Sequence, residues 1–187
     1  SREAARAGAA LAEADAAERR VVDKVLAGRY LQEAKLEMVV VRRLMKDSED
    51  GLRAMPSRAV WHCQQAVEMA LKSAMLRTCG LTEKEKYGKG DNSLRELAQS
   101  LRSASAMTEQ QRRAQQLPMS DDDMAWLKQA YLAARYPNAS RCDVPAYQYG
   151  MADAERAIGL ARNCLHWATH LEDLPEPGST AASAQPM

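Results

Sequence analysis

The sequence contains no phenylalanine, and aromatic residues make up only 5% of it. A core without large flat rings must be built from Leu, Val, Met and much Ala, residues that suit close helix-to-helix packing better than a sheet. No apolar run approaches the roughly 18 residues needed to cross a bilayer, and the N-terminus lacks the layout of a secretory leader. An excess of one charge is missing too. The 26 basic and 25 acidic residues leave a net charge of +1, so nothing global argues for nucleic acid or a membrane surface, and any basic site must be local. Cysteines are few and scattered. Cys63, Cys79, Cys142 and Cys164 lie far apart, several at positions that read as core helix, which fits reduced thiols better than disulfides. A Gly-rich phosphate loop is absent, so a bound phosphate would have to be held by side chains or a helix N-terminus. The expectation left by these absences is a cytoplasmic, all-α domain, and the start at Ser1 reads as the edge of a piece of a larger protein.

What is present is helical periodicity, and it is clearest over Ser57 to Cys79. Val60, Cys63, Val67, Ala70 and Ala74 alternate spacings of three and four, which places them on one helix face. Ser57 offers a hydroxyl to the first turn, Pro56 discourages helix upstream, and Gly80 suits a C-terminal stop. Gln65, Glu68 and Lys72 form a polar stripe beside the apolar one, with Glu68 and Lys72 in the favourable i, i+4 order.

Around this helix the chain divides into three. Residues 1–27, with Leu11, Ala14, Val21, Val22 and Val25 as a thin apolar stripe, read as a helical lead-in or mobile arm that Gly28 puts out of phase. Residues 28–173 read as a bundle. Its predicted helices carry Leu31, Ala34, Met38, Val41 and Met45; then the 57–79 stretch; then a short one with Leu94, Leu97, Leu101 and Ala104, capped by Asp91 or Asn92. Two more carry Met124, Leu127, Tyr131 and Ala134, stopped at Tyr136-Pro137, and Met151, Ala154, Ile158, Ala161, Leu165 and Ala168. Ser120 to Asp123 forms a capping-box-like start. Residues 47–55, 81–90 and 138–145 read as loops, and 105–119, rich in Gln and Arg, as a solvated irregular excursion. Residues 174–187 have too little apolar surface to offset their ordering entropy and read as a disordered tail. Four main helices and one shorter one give an antiparallel up-and-down bundle.

The order of motifs is more telling than any single one. Leu31-Gln-Glu-Ala-Lys-Leu-Glu-Met, His62-Cys-Gln-Gln-Ala-Val-Glu-Met-Ala-Leu-Lys-Ser-Ala-Met-Leu, Asn92-Ser-Leu-Arg-Glu-Leu, Ala134-Arg-Tyr-Pro-Asn and residues 154–161 together resemble the HEPN domain family, over about residues 28–173. The pattern looks most like the HEPN domain at the C-terminus of sacsin and sacsin-like co-chaperones, which have a J domain upstream. The resemblance implies a helical domain, often a homodimer, with a groove that takes a nucleotide such as ATP or GTP, set in a chaperone-like host. The RNase branch of the family carries an Arg and a His on one helix at a spacing that this chain does not offer. Arg58 and His62 have three residues between them, as do Arg162 and His166. The resemblance therefore favours a non-catalytic module, with a metal-independent RNase or a ligand-free oligomerisation domain as the alternatives.

Lys72, Arg77, Arg95, Lys128 and Arg135 are the candidates for holding a phosphate, because guanidinium forks and ammonium groups match its oxygens, and Tyr136 or Tyr131 offers a ring for a base. The plainer reading pairs Lys72 with Glu68 and Arg135 with a carboxylate, and packs the tyrosines on the core. Trp61, Trp126 and Trp167 read as core or interface. His166 and His170, i and i+4 with Cys164 nearby, lack a third ligand at a matching spacing, so no metal is assigned.

Overall fold

The computed structural model describes residues 2–46, 54–79, 94–104, 108–135 and 148–174. Among them the secondary structure is all helical: α1 (Arg2–Leu44), α2 (Pro56–Thr78), α3 (Leu94–Ser103), α4 (Glu109–Gln115), α5 (Asp121–Arg135) and α6 (Met151–Glu172). They form a helical bundle in which α1 and α2 run antiparallel, His62 lying on Glu37 and Lys72 by Tyr30, while α2 and α6 run parallel, joined at their starts by Ser57 and Tyr149 and at their ends by Arg77 and Glu172.

α2 is the axis of the bundle and packs against each of the other five helices. Fourteen of its 23 residues are buried, on every side, as expected of a helix with no solvent face. Val60, Cys63, Val67, Ala70 and Ala74 are all fully buried, and so are Ala59 and Leu71 on flanks that periodicity alone does not reach. The α2 start differs from the expectation. Pro56 takes the first helical position, where its missing N–H costs nothing, and no side chain caps the helix. Ser57 is turned inward instead: its Oγ accepts from Tyr149 N (2.9 Å) and donates to Tyr149 O (3.3 Å), clasping the segment that leads into α6.

α1 does not break at Gly28. It runs unbroken for 43 residues, about 65 Å at 1.5 Å per residue. The first buried residue among those described is Ala27, and of the side chains described from Arg6 to Val25 all are exposed except the half-buried Asp23. From there Leu31, Ala34, Met38 and Val41 seat α1 on α2, and the turn is closed by Met55 N donating to Leu44 O (2.8 Å).

The 105–119 stretch is also corrected. Thr108 and Gln111 form a reciprocal capping box on α4, a sixth helix that the Gln- and Arg-rich composition hid. Gln110 is buried and donates to Leu171 O (2.8 Å), Ala114, Leu117 and Met119 join the core, and Trp167 Nε1 donates to Arg113 O (3.0 Å). In α6 the core seam is Ala154, Ala157, Ala161, Cys164, Ala168 and Leu171, whereas Met151 is exposed and Ile158 and Leu165 are half-buried. Small residues here let α6 lie close against α2. The expected caps at Asp91, Asn92 and Gly80, the loops at 81–90 and 138–145, most of the 47–55 loop, Cys142 and residues 175–187 of the tail lie outside the described residues.

Candidate functional site

The polar stripe of α2 closes on itself. Gln65 donates to Gln64 Oε1 (2.5 Å), Gln64 to Glu68 Oε2 (3.4 Å), and the Lys72 ammonium pairs with Glu68 Oε1 at 3.0 Å. Lys72 is only 5% exposed, and its ammonium sits 5.7 Å from the ring centroid of Tyr30 on α1. Its charge is thus met by one carboxylate and the face of one ring, a pairing that the i, i+4 spacing prescribes.

Arg77 turns to a different seam. Its guanidinium donates to Glu172 Oε1 (2.7 Å) and ties the C-terminal ends of α2 and α6 together, while its Nε is buried with no partner among the described residues. Arg77 follows Lys72 by five positions, a rotation of about 140° around the helix, so one looks towards α1 and the other towards α6. Arg95 on α3 and Lys128 on α5 are exposed. Arg135 closes α5; its side chain, that of Tyr131, and the whole of Tyr136 lie outside the described residues.

A second polar contact joins α1 and α2. His62 Nδ1 donates to Glu37 Oε2 at 2.5 Å, and the Trp61 ring stands edge-on to the imidazole with centroids 4.5 Å apart. The next residue, Cys63, is buried, and desolvation pushes its thiol up to about 12; the positive field of Arg162 on α6 pulls the other way and that of Glu37 adds to the rise. Glu37 and Arg162 are therefore electrostatic neighbours of one buried thiol. Because Glu37 engages Nδ1, Nε2 is the imidazole nitrogen left to exchange a proton. The sequence names His62 and Arg162 only as members of separate same-helix pairs, and it misses Glu37 because a contact between helices has no spacing to betray it.

His166 and His170 are exposed on α6 with their Nε2 atoms 3.0 Å apart, one donating to the other. Cys164 is fully buried, its thiol also raised to about 12 by burial, so it does not share their solvent face. Among the described residues no group of three or more His, Cys, Asp or Glu could hold a metal ion. No described helix is long and apolar enough to cross a membrane.

The most extensive unexplained surface is on α1. At about 100° per residue, Ala27, Leu31, Ala34, Met38 and Val41 occupy an arc of about 80° facing the bundle. Leu11, Val21, Val22, Val25, Leu36, Val39 and Val40 are all exposed, and they fall on a second arc of about 100° whose centre lies about 170° away. α1 is apolar on two opposite sides, and among the described residues only one side is covered. The sequence shows the first half of this outer stripe; Leu36, Val39 and Val40 are lost there because they interleave with the inner stripe.

Against known proteins, the HEPN domain family matches residues 27–171. No curated protein and no solved structure matches the chain.

Proposed function

The chain belongs to the HEPN domain family, and from that premise we propose that it works as a homotypic assembly module, a helical bundle that dimerises through the outer face of α1. One observation carries this reading: seven large apolar side chains stand exposed along a single face of one helix, with Val21 63% and Val25 54% exposed. Scattered surface Val and Leu are ordinary, but an aligned row on a helix that extends past its own bundle is the pattern of a protein contact. Sedimentation velocity of the whole chain over a rising concentration series tests it. A dimer is expected, and a monomer at every concentration overturns the reading.

A second reading, a metal-independent RNase, is favoured by the Glu37–His62 pair with Arg162 in its neighbourhood. A carboxylate that holds one imidazole nitrogen leaves the other for proton transfer, and a guanidinium nearby suits a phosphate. Incubation with single-stranded RNA decides it: cleavage that disappears in His62→Ala establishes the enzyme, and intact RNA removes it. ATP or GTP binding draws less from the geometry. Lys72 and Arg77 already meet carboxylates, so a nucleotide would have to rest on Arg95, Lys128, Arg135 and Tyr136 or displace those ion pairs.

A further inference from the structure

Resting on the assembly reading, we infer that the occupant of the outer α1 face is the same face of a second copy, running antiparallel, with a two-fold axis passing between the two α1 helices at the level of Tyr30 and Leu31.

The exposed row is arranged in two blocks about that point. Val21, Val22 and Val25 lie before it, and Leu36, Val39 and Val40 after it, all exposed. A perpendicular two-fold axis brings together residues of opposite copies that are equidistant from it, here to within one residue. Val25 then meets Leu36 of the second copy, Val21 meets Val39 and Val22 meets Val40. Each couple also shares its angular offset on the helix, as such an axis demands, because rotation about it preserves the side of the stripe on which a residue sits.

Charge selects this direction over the alternative. Glu18, Arg29, Glu33 and Arg43 are exposed on or beside the same stripe. In the antiparallel arrangement Glu18 meets Arg43 of the second copy and Arg29 meets Glu33, each twice by symmetry. A parallel, in-register pair would instead set Glu18 on Glu18, Arg29 on Arg29, Glu33 on Glu33 and Arg43 on Arg43. One pattern of four charges thus rewards one orientation and opposes the other. From Glu18 to Arg43 the contact runs about 37 Å. The arrangement also gives the exposed N-terminal part of α1 a place to lie. Residues 18–25 of each copy, which touch little of their own bundle, pack along residues 36–43 of the other.

The test uses sedimentation equilibrium of the full chain and its variants at low salt, with far-ultraviolet circular dichroism as a folding control. Val25→Asp is expected to abolish the dimer while helix content stays unchanged, because Val25 is exposed on its own chain. Glu18→Arg or Arg43→Glu alone turns two attractions into two repulsions and should raise the dimer Kd about tenfold. The double variant Glu18→Arg/Arg43→Glu restores the pairing and should return Kd to within about threefold of the parent. A parent chain that is monomeric overturns both the assembly reading and this arrangement. A dimer indifferent to Val25→Asp and to the charge reversals, or weakened by a single reversal and not rescued by the double, leaves the assembly reading standing and overturns the antiparallel α1 pairing.

Discussion

Replacing Lys72 separates its role as a packed stem from its role as a charge. The side chain is 5% exposed, its ammonium is 3.0 Å from Glu68, and the Tyr30 ring lies beyond. Lys72→Ala removes three methylenes, Cγ to Cε, worth about 0.8 kcal/mol each when fully buried, together with the ammonium group, and leaves the carboxylate of Glu68 without its cation. Loss of one member of a fully buried pair costs about 3–5 kcal/mol, but the side chain of Glu68 is 21% exposed, so water answers much of that penalty. The sum points to a loss of about 3 kcal/mol for Lys72→Ala. Lys72→Met keeps the stem and the volume, and Lys72→Met with Glu68→Gln also removes the orphaned charge. The single Met variant should fall within about 1.5 kcal/mol of the parent and the double closer still, since apolar replacement of a buried pair is often neutral. Urea unfolding followed by circular dichroism measures all three, at one fixed protein concentration because association adds to apparent stability. If Lys72→Met loses as much as Lys72→Ala, the ion pair itself sustains the fold and the packing account is wrong. If Lys72→Ala loses nothing, the stem is not packed at all.

Three further outcomes follow from geometry already described. Ser57→Ala strips both hydrogen bonds from the Tyr149 backbone and should cost about 1–3 kcal/mol in the same urea assay; a loss under a few tenths would mean water replaces the clasp. Gly28→Ala should stabilise the chain by up to about 1 kcal/mol, because α1 is helical there and a Cβ meets nothing within 4 Å; destabilisation would show that the position does not tolerate a side chain. Asp123 is held below its ordinary value of 3.8, first by the hydrogen bond from Ser120 and then by the one from Arg156. A depressed carboxylate stabilises the fold above its unfolded pKa and loses that contribution as pH falls through the folded one, so the parent should lose stability more steeply than Asp123→Asn on acidification below about pH 4.

Much of the bundle can be read from the sequence because three-four periodicity is a local property. Leu31, Ala34, Met38 and Val41, the α2 face from Val60 to Ala74, and Leu94, Leu97 and Leu101 all lie buried where that spacing puts them. The features that escape it depend on partners far away in the chain. Gln110 looks solvated until the Leu171 carbonyl accepts from it, and Ser57 looks like a cap until Tyr149 arrives. Gly28 looks like a break, yet Ala27 and Leu31 are both buried, and that packing outweighs a glycine penalty of about 1 kcal/mol. The candidate site follows the same division. The Glu68–Lys72 pair is visible as an i, i+4 spacing, whereas the meeting of Glu37 with His62 is a fact of how α1 docks on α2.

The clasp between Ser57 and Tyr149 also sets an order of events in time. It spans 92 residues, and the Arg77–Glu172 bridge at the other end of α2 spans 95. α1 and α2 are neighbours in sequence and can zip together early, since short loops close at little entropic cost. α6 reaches α2 only when the last quarter of the chain is available. During synthesis the α1–α2 hairpin must therefore wait with Cys63, Val67, Ala70 and the outer valines of α1 uncovered together, which makes that interval the chain's most aggregation-prone. Slowing α6 docking, as Ser57→Ala should, would lengthen the wait.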